Sequence, residues 1–357
     1  MDRIPVMKPL LPDVKTISNY WRRIDDTRIY SNFGPLSEEL TLRLAEYFHV
    51  DADNVLLVSN GTLALQAAVA TSSREGSKWA IPSWTFIATA QAVVSAGAKV
   101  EFEDVQSDTW ALMPDQSRSA GGVIPVVPFG GQVKLETWAF ESMRHPVVID
   151  AASCFDACRD LSLVNKYNVS VMISLHATKL VTTGEGGVIV GPKGWIAEMK
   201  KWINFGFYGD RIARRTGTNA KLSEYNAAVG LASLDQWEST RRAWMMRLEK
   251  MSKGLLENNI LVQPAITEGN VTSTLVALLN DHEAKLLLER RLFAAEIDSR
   301  DWWGAGIHNM PAFKTVPNSV NVKLPITEDL ASRTIGLPMY VDLSDQEIEK
   351  ILKVVAE

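Results

Sequence analysis

Short apolar runs alternate with stretches of helical periodicity over the first two hundred residues of the chain. Each run is rich in Val, Ile and Leu, which is typical of strands that are buried on both faces. This order predicts an α/β protein with a mostly parallel central sheet covered by helices. The predicted strands are residues 55–58, 79–82, 99–102, 122–127, 147–149, 171–174 and 187–190.

The pattern changes after residue 221. The elements expected there are one or two long helices over 222–256, a strand over 272–279, a helix over 283–295 and a closing helix from Ser344. We therefore predict a large domain over residues 1–240 and a smaller C-terminal α+β domain over residues 241–357. A segment of about 20 residues at the start of the chain is a candidate to pack on the small domain.

The composition is that of a soluble globular protein, because 46% of the 357 residues are hydrophobic and 22% are charged. No apolar run reaches the roughly 18 residues of a membrane-spanning helix. Residues 1–5 lack the apolar core of a signal peptide, and we expect a cytoplasmic protein with no membrane partner. A net charge of −5, without a basic cluster, argues against a general affinity for nucleic acid.

Cys154 and Cys158 are the only cysteines in the chain. At helical spacing they would share a face rather than form a bridge, and a cytoplasmic chain of this size needs no disulfide. A metal site would need more ligands, and the nearest histidine is His145. We predict two buried structural thiols and no bound metal.

Lys179 is the most informative residue, because it follows a predicted strand and precedes a glycine-rich turn. Asp150 directly follows another apolar run, and residues 59–62 open a helix-like segment. Pyridoxal phosphate (PLP) needs an amine that carries it as a Schiff base, a carboxylate that keeps its pyridine nitrogen protonated, and donors for its phosphate. Lys179, Asp150 and the turn at Gly61 and Thr62 supply these in order. A helix N-terminus stabilises a phosphate without a basic side chain.

Each of these features also has an ordinary structural interpretation. Lysines are usually solvated charges, Asp150 suits a strand-terminal acid in solvent, and residues 59–62 suit a common N-cap. The glycines after Lys179 suggest a P-loop, but no Gly-Lys-Ser/Thr follows a strand. The three features together indicate a PLP site.

With these residues assembled, the chain resembles the nucleotide-sugar aminotransferases of the DegT and StrS group. The resemblance implies the fold of aspartate aminotransferase, which is fold type I of the PLP-dependent transferases. It runs over most of the chain and is carried by residues 32–40, 59–65, 82–86, 150–152, 174–187, 217–224 and 302–313.

The resemblance implies that Lys179 is the catalytic Schiff-base lysine and that Asp150 is the catalytic partner of the pyridine nitrogen. It also implies a homodimer with shared active sites, because Asn219 would reach the phosphate of the other subunit's cofactor. The family usually has Gln, His or Glu at the position of Ser153, so this contact to the ring departs from the family pattern. The remaining implied cofactor contacts are Gly61, Thr62 and Ser174 at the phosphate and Phe86 against the ring.

The candidate substrate-binding residues are His308, Lys221 and His176. His308 stands where the family places a histidine close to the sugar nucleotide. His176 precedes Lys179 by three positions and equally suits a packed or surface histidine. Trp302 and Trp303 suit stacking on a base, lining a sugar pocket or packing within the small domain.

The resemblance implies transamination from L-glutamate to a nucleotide-linked keto sugar, with Lys179 as the proton carrier. Residues 176–187 are most similar to enzymes that act at C4 of a 4-keto-6-deoxyhexose. We favour a dTDP-linked sugar, made for lipopolysaccharide O-antigen biosynthesis. Amination at C3 stays open, and so does a sugar dehydratase of the same fold, although such dehydratases typically have histidine in place of Lys179. Outside enzymes, the alternative is a non-catalytic sugar-nucleotide-binding or regulatory protein.

Overall fold

A seven-stranded sheet forms the centre of the computed structural model, which describes residues 3–73, 76–117, 121–267, 269–314 and 323–357. The strands are β1 (Val55–Val58), β2 (Lys78–Pro82), β3 (Lys99–Glu103), β4 (Gly122–Val123), β5 (Val147–Asp150), β6 (Val169–Ser174) and β7 (Gly187–Val190). Their order across the sheet is β1-β7-β6-β5-β4-β2-β3.

Most strands of this sheet point the same way. The neighbours from β6 through β5, β4 and β2 to β3 are parallel, whereas β7 is antiparallel to both β6 and β1. The predicted α/β fold with a mostly parallel sheet is confirmed. The carboxyl ends of β1, β2, β4, β5 and β6 meet at one edge, which is where such sheets bind ligands.

Strand β4 is shorter than predicted, because the regular ladder ends at Val123 instead of residue 127. Pro125 has no N–H to donate. Its carbonyl accepts a hydrogen bond from the Asp150 N–H at 2.8 Å, and the Val127 N–H donates to the Asp150 carbonyl at 3.0 Å. The irregular segment after β4 is thereby fixed beside the end of β5.

Helices cover both faces of the sheet. Side chains alternate between the two faces, so that Val171 and Ile173 of β6 belong to one core and Met172 belongs to the other. The helices of this part are α1 (Val14–Thr27), α2 (Pro35–Tyr47), α3 (Gly61–Ser72), α4 (Ile87–Ser95), α5 (Val164–Tyr167), α6 (Lys193–Trp202) and α7 (Glu224–Glu257). Residues of α2 and α7 fill the first core, and residues of α3, α4 and α6 fill the second.

The C-terminal part is built on a three-stranded antiparallel sheet in the order β10-β9-β8. Its elements are β8 (Leu261–Val262), α8 (Pro264–Thr267), β9 (Leu275–Leu278), α9 (His282–Ala294), α10 (Pro325–Arg333), β10 (Thr334–Leu337) and α11 (Asp345–Ala356). The predicted boundary at residue 240 falls inside α7, which is continuous, and the division into two domains stays a prediction.

The start of the chain lies on this C-terminal part. Ile4 pairs in parallel with Ile297, through hydrogen bonds with the backbone of residues 296 and 298. The Val6 carbonyl accepts a hydrogen bond from the Met339 N–H at 3.1 Å. Both Ile4 and Val6 are buried. The first described residues are therefore held by segments that come nearly three hundred residues later.

Two features of the composition can be located in the fold. Cys154 and Cys158 are buried free thiols, and burial raises the pKa of both. Within the described residues, no group of His, Cys, Asp or Glu side chains is arranged to hold a metal ion. None of the helices described here combines the length and the apolar character that crossing a membrane requires.

A buried carboxylate, Asp156, links the sheet to α7 and to the C-terminal part. It accepts hydrogen bonds from Arg241 at 2.6 Å, Arg159 at 2.9 Å and the Val271 N–H at 3.1 Å. Burial alone would raise the pKa of the Asp156 carboxyl, but these hydrogen bonds hold that pKa below its usual value.

Replacing Asp156 with Asn should lower the free energy of unfolding at pH 7 by about 2 kcal/mol, since a hydrogen bond to a charged group contributes roughly 1.5–3 kcal/mol. Stabilisation by a carboxyl with a lowered pKa is present above its unfolded pKa of about 3.9 and is lost as pH falls through the folded pKa. Urea unfolding at pH 7 and at pH 3 to 4 measures both effects. The control, Asp329→Asn, removes the exposed partner of Arg333 and should change little. An equal loss of unfolding free energy in Asp156→Asn and Asp329→Asn would contradict the stabilising role given to Asp156.

Candidate active site

A cavity of about 390 Å³ opens at the carboxyl edge of the large sheet. Residues that end or follow β1, β2, β4, β5 and β6 line its floor, and Thr274, Arg300, Trp302 and Trp303 line the wall from the C-terminal part. Its lining includes eight of the predicted site residues, namely Gly61, Thr62, Phe86, Asp150, Ser153, Ser174, His176 and Lys179. The topology therefore brings these residues to one place.

Lys179 lies in a tight loop that follows β6. Its N–H donates to the His176 carbonyl at 2.9 Å, and the loop closes where the Thr183 N–H donates to the Leu175 carbonyl at 2.9 Å. The Lys179 ammonium donates to Ser153 Oγ at 2.8 Å. Burial lowers the pKa of Lys179, and the charge of Asp150 opposes that shift. The side chain is thus a buried amine with a reduced preference for its charged form.

Asp150 ends β5 and is only 5% exposed. Its carboxylate accepts hydrogen bonds from Thr89 Oγ1 at 2.7 Å and from the Ala152 N–H at 3.2 Å. Burial raises the pKa of Asp150, while these two donors and Lys179 oppose the rise. Burial therefore disfavours the ionised form of the Asp150 carboxyl. The carboxyl lines a cavity that can admit a cationic partner.

Two threonines form a hydroxyl chain that ends at Asp150. Thr85 Oγ1 and Thr89 Oγ1 are 2.9 Å apart, and both side chains are buried. A hydroxyl has one hydrogen, so when Thr89 donates to an ionised Asp150 it must accept from Thr85. Thr89 also lies in the first turn of α4, where the helix dipole favours a nearby negative charge. Both effects stabilise the ionised form of Asp150.

The N-terminus of α3 supplies backbone donors to the cavity. The Asn60 side chain caps the helix by accepting from the Leu63 N–H at 2.9 Å. Within the described residues, the N–H groups of Gly61 and Thr62 receive no hydrogen-bond partner. The helix can approach the sheet because Gly187 has no side chain, since a Cβ there would lie 2.7 Å from the Gly61 nitrogen. These free donors suit an anion.

The other predicted residues that line the cavity have different degrees of exposure. Phe86 is 59% exposed and is the N-cap residue of α4, so part of its ring is open. His176 Nδ1 forms a hydrogen bond with Thr178 Oγ1 at 2.9 Å. Its Nε2 lies 3.4 Å from a carboxylate oxygen of Glu185. Ser174 Oγ accepts from the His176 N–H at 3.3 Å.

Three predicted site residues do not line this cavity. Asn219 is exposed and pairs with Asn204, and Lys221 donates to Asn204 Oδ1 at 2.9 Å, both beside the β1 edge of the sheet. His308 is buried, with its Nδ1 2.6 Å from Ser83 Oγ. Within one chain, the structure keeps these residues apart from Lys179.

Sequence reasoning missed several residues of the site. Thr89 carries no local signal, because its partner Asp150 lies 61 positions away. Arg300 lines the cavity and stands two positions before residues 302–313, a segment on which the resemblance rests. Trp302 and Trp303 both line the cavity, and the Trp303 ring also stacks on Phe129 with centroids 4.1 Å apart. The sequence analysis gave lining a pocket and packing as alternative roles for the two tryptophans. In the structure, Trp303 does both.

The chain belongs to the DegT/DnrJ/EryC1/StrS aminotransferase family, whose pattern it matches over residues 13–356. Protein Rv3402c of Mycobacterium tuberculosis is 28% identical, over 99% of this chain and 90% of its own length. The dTDP-4-amino-4,6-dideoxy-D-glucose transaminase of Shigella dysenteriae is 27% identical, over 99% of this chain and 98% of its own. The crystal structure of DesI in the presence of its TDP-sugar product has a TM-score of 0.87 and 25% identity, covering 100% of this chain and 93% of that one.

The protein is therefore a PLP-dependent aminotransferase. The cavity's donor set fits the cofactor, because it combines a buried amine, a buried carboxylate that lacks a full cationic partner, and free N–H groups at a helix N-terminus. Lys179, Asp150 and the start of α3 are the residues that would hold its aldehyde, ring nitrogen and phosphate, respectively.

Replacing Thr89 with Val removes the donor to Asp150 and should weaken PLP binding at pH 7 roughly 10-fold, as expected for one hydrogen bond to a charged group. The pKa of Asp150 should rise further, so the loss of PLP binding on acidification should begin at a higher pH than in the wild type. Absorbance titration with PLP between pH 5 and 8 measures both effects. Thr89→Ser keeps the hydroxyl and serves as the control. Superimposable curves for wild type and Thr89→Val would contradict this role.

Proposed function

We propose that this enzyme transfers the amino group of L-glutamate to C4 of a nucleotide-linked 4-keto-6-deoxyhexose, with a dTDP-linked sugar as the substrate. The observation that carries the proposal is the meeting of half-buried Lys179 and buried Asp150 in one cavity with free N–H groups of α3. The relatives support the substrate class, since one is named for a dTDP-linked 4-amino sugar and another was crystallised with a TDP-sugar product. The product would serve O-antigen-type polysaccharide biosynthesis.

Lys179 is the residue of this cavity that can move a proton during transamination. PLP, when bound, supplies an electron sink for the charge left on a carbon that loses its proton. Because burial lowers the pKa of the Lys179 ammonium group, its neutral amine is accessible as a base. The hydrogen bond to Ser153 Oγ orients Lys179 Nζ, and the Asp150 carboxylate is placed to hold the ring nitrogen.

The apolar wall of the cavity supports binding of a sugar and exclusion of water. Val126, Val127 and Phe129 line the side next to β4, and Trp302 and Trp303 line the side from the C-terminal part. Aromatic faces present apolar area to a sugar ring. A dry cavity also strengthens every electrostatic interaction inside it.

A homodimer with shared active sites is the assembly that we propose. Asn219 and Lys221 lie beside the β1 edge and away from their own chain's cavity, so a cofactor or substrate contact by either must be made in another subunit. Phe86 lines the cavity with 59% of its surface exposed, which leaves room for a second chain at that side. His308 keeps a role near the substrate only if its surroundings rearrange, because it is buried in this state.

The substrate is tested with a matched panel of sugar nucleotides in the presence of PLP and L-glutamate. The panel contains 4-keto-6-deoxyglucose linked to dTDP, UDP or GDP, and the 3-keto isomer of the dTDP sugar. We expect turnover to be highest with the dTDP-linked 4-keto sugar, with NMR placing the new amine on C4. Preference for another nucleotide would overturn the dTDP assignment, and amination of the 3-keto isomer alone would overturn C4. An absence of any amino sugar would reject the sugar substrate.

Replacing Lys179 with Ala should abolish transamination, with a loss of at least roughly 100-fold, since a positioned general base contributes about 10²–10⁴-fold. Borohydride reduction of the PLP-loaded wild type should leave the cofactor attached to the peptide that contains Lys179 as a secondary amine, with a mass gain equal to PLP less one oxygen atom, and the variant should lack this modified peptide. Lys193→Ala, which changes an exposed lysine paired with Asp51, is the control and should retain activity. Wild-type turnover by the Lys179→Ala enzyme would refute the assignment.

A further inference from the structure

Met7 lines the active-site cavity, although it comes from the start of the chain. It also lines a second, much smaller cavity of about 30 Å³, whose lining includes residues 177–180. Within the described residues, Met7, Thr178 and Lys179 line both cavities, and Met7 is the apolar member of this group. Met7 therefore lies beside the loop that carries the amine. Neither the cofactor site nor the proposed proton transfer uses this residue.

The segment that carries Met7 is attached to the C-terminal part on both sides of it. The Val6 carbonyl accepts a hydrogen bond from the Met339 N–H at 3.1 Å, and the Val6 side chain is buried. The Lys8 ammonium donates to Asp342 Oδ2 at 2.9 Å. Met7, between these two attachments, is half-buried. Its backbone is therefore held in a defined place at the cavity.

The other large apolar side chains of the cavity border different parts of the site. Met172 lies under the start of α3, since its sulfur is 2.9 Å from the position that a Cβ on Gly61 would take. That side is the proposed place of the cofactor phosphate. The remaining ones border β4, the start of α4 or the C-terminal wall, and are Val126, Val127, Phe129, Phe86, Trp302 and Trp303. Met7 is thus the large apolar side chain beside the Lys179 loop.

The chemistry of the proposed acceptor places a methyl group in this region. C4 receives the amine, so it must come close to Lys179. The next ring carbon, C5, carries the methyl group that defines a 6-deoxyhexose, and this methyl is only two bonds away from C4. Transfer of a methyl group from water to an apolar environment is favourable. Methionine suits this task, because its unbranched thioether side chain adapts to irregular apolar gaps.

We propose that Met7 contacts the C6 methyl group of the acceptor sugar and so selects a 6-deoxyhexose. A sugar with a hydroxyl at C6 would place a polar group against a thioether, which is only a weak hydrogen-bond acceptor. A pentose would leave the place of the methyl empty. The inference rests on the proposed amination at C4 and adds the residue that recognises the substituent next to the reacting carbon.

The test compares two acceptors that differ only in this methyl group. Enzyme loaded with pyridoxamine phosphate is mixed with dTDP-linked 4-keto-6-deoxyglucose or with dTDP-linked 4-keto-xylose, and the ratio of the two kcat/KM values is measured. We expect the wild type to prefer the 6-deoxyhexose roughly 10-fold, the lower end of what one such group contributes in an apolar pocket. Met7→Ser should reduce this ratio to less than about 3-fold, since the apolar contact is lost. Met7→Leu should keep most of it, because the swap conserves volume.

The matched control is Met246→Ser, which changes a methionine of α7 that is 65% exposed. This variant should keep the wild-type ratio. General damage to the fold or to cofactor binding lowers turnover of both sugars together and leaves their ratio unchanged. A change in the ratio therefore reports the contact with the methyl group.

A binding measurement gives a readout that is independent of turnover. The ligands are dTDP-6-deoxyglucose and dTDP-xylose, which have no ketone and cannot be aminated. In calorimetry with the pyridoxamine-phosphate-loaded enzyme, the wild type should bind the 6-deoxy sugar several-fold more tightly than the pentose. The two Kd values should become nearly equal in Met7→Ser.

The outcomes separate this inference from the proposed function. If the wild type aminates the 4-keto sugars and Met7→Ser leaves the ratio unchanged, the role of Met7 is overturned and the proposed function stands. Equal Kd values for the two ligands in the wild type would also overturn that role. A wild-type enzyme that aminates no sugar nucleotide, but whose Kd ratio falls in Met7→Ser, would reject the proposed reaction and leave the contact standing.

Discussion

The burial of one carboxylate, that of Asp150, is the constraint on which the active site depends. A buried charge without partners costs several kcal/mol. The fold meets this cost with the hydroxyl of Thr89, the N–H of Ala152 and the nearby charge of Lys179. None of these is a full counter-ion in direct contact. In the cofactor site that we propose, the ring nitrogen of PLP would be the cationic partner of this carboxylate.

The opposing walls of the cavity have different tasks because they come from different parts of the fold. Asp150 ends β5, and Lys179 lies in the loop that follows β6, the strand paired with β5. The C-terminal part contributes aromatic surface and the guanidinium of Arg300, both supported by the edge of β10. The amine and the carboxylate thus lie on the side of the large sheet, and the aromatic surface lies on the other wall.

The sequence predicts the fold where the apolar runs are uninterrupted, as in β5 and β6, and it predicts Lys179 and Asp150 because strand ends are readable locally. The predicted length of β4 is wrong, since Pro125 has no backbone N–H to donate within the apolar run. The contact of Thr89 with Asp150 and the place of Arg300 in the cavity could not be predicted, because each joins parts of the chain that are far apart in sequence and no periodicity records this. Asn219, Lys221 and His308 were assigned by resemblance alone, and the structure of one chain does not bring them to the cavity.

The pairing of Ile4 and Val6 with the C-terminal part has a consequence for how the protein is made. Met7, next to these residues, lines the active-site cavity. On the ribosome, the first residues leave the exit tunnel long before residues 297 and 339 exist to bind them. The nascent large sheet can form while this wall is still open, so the cofactor pocket is closed only at the end of synthesis.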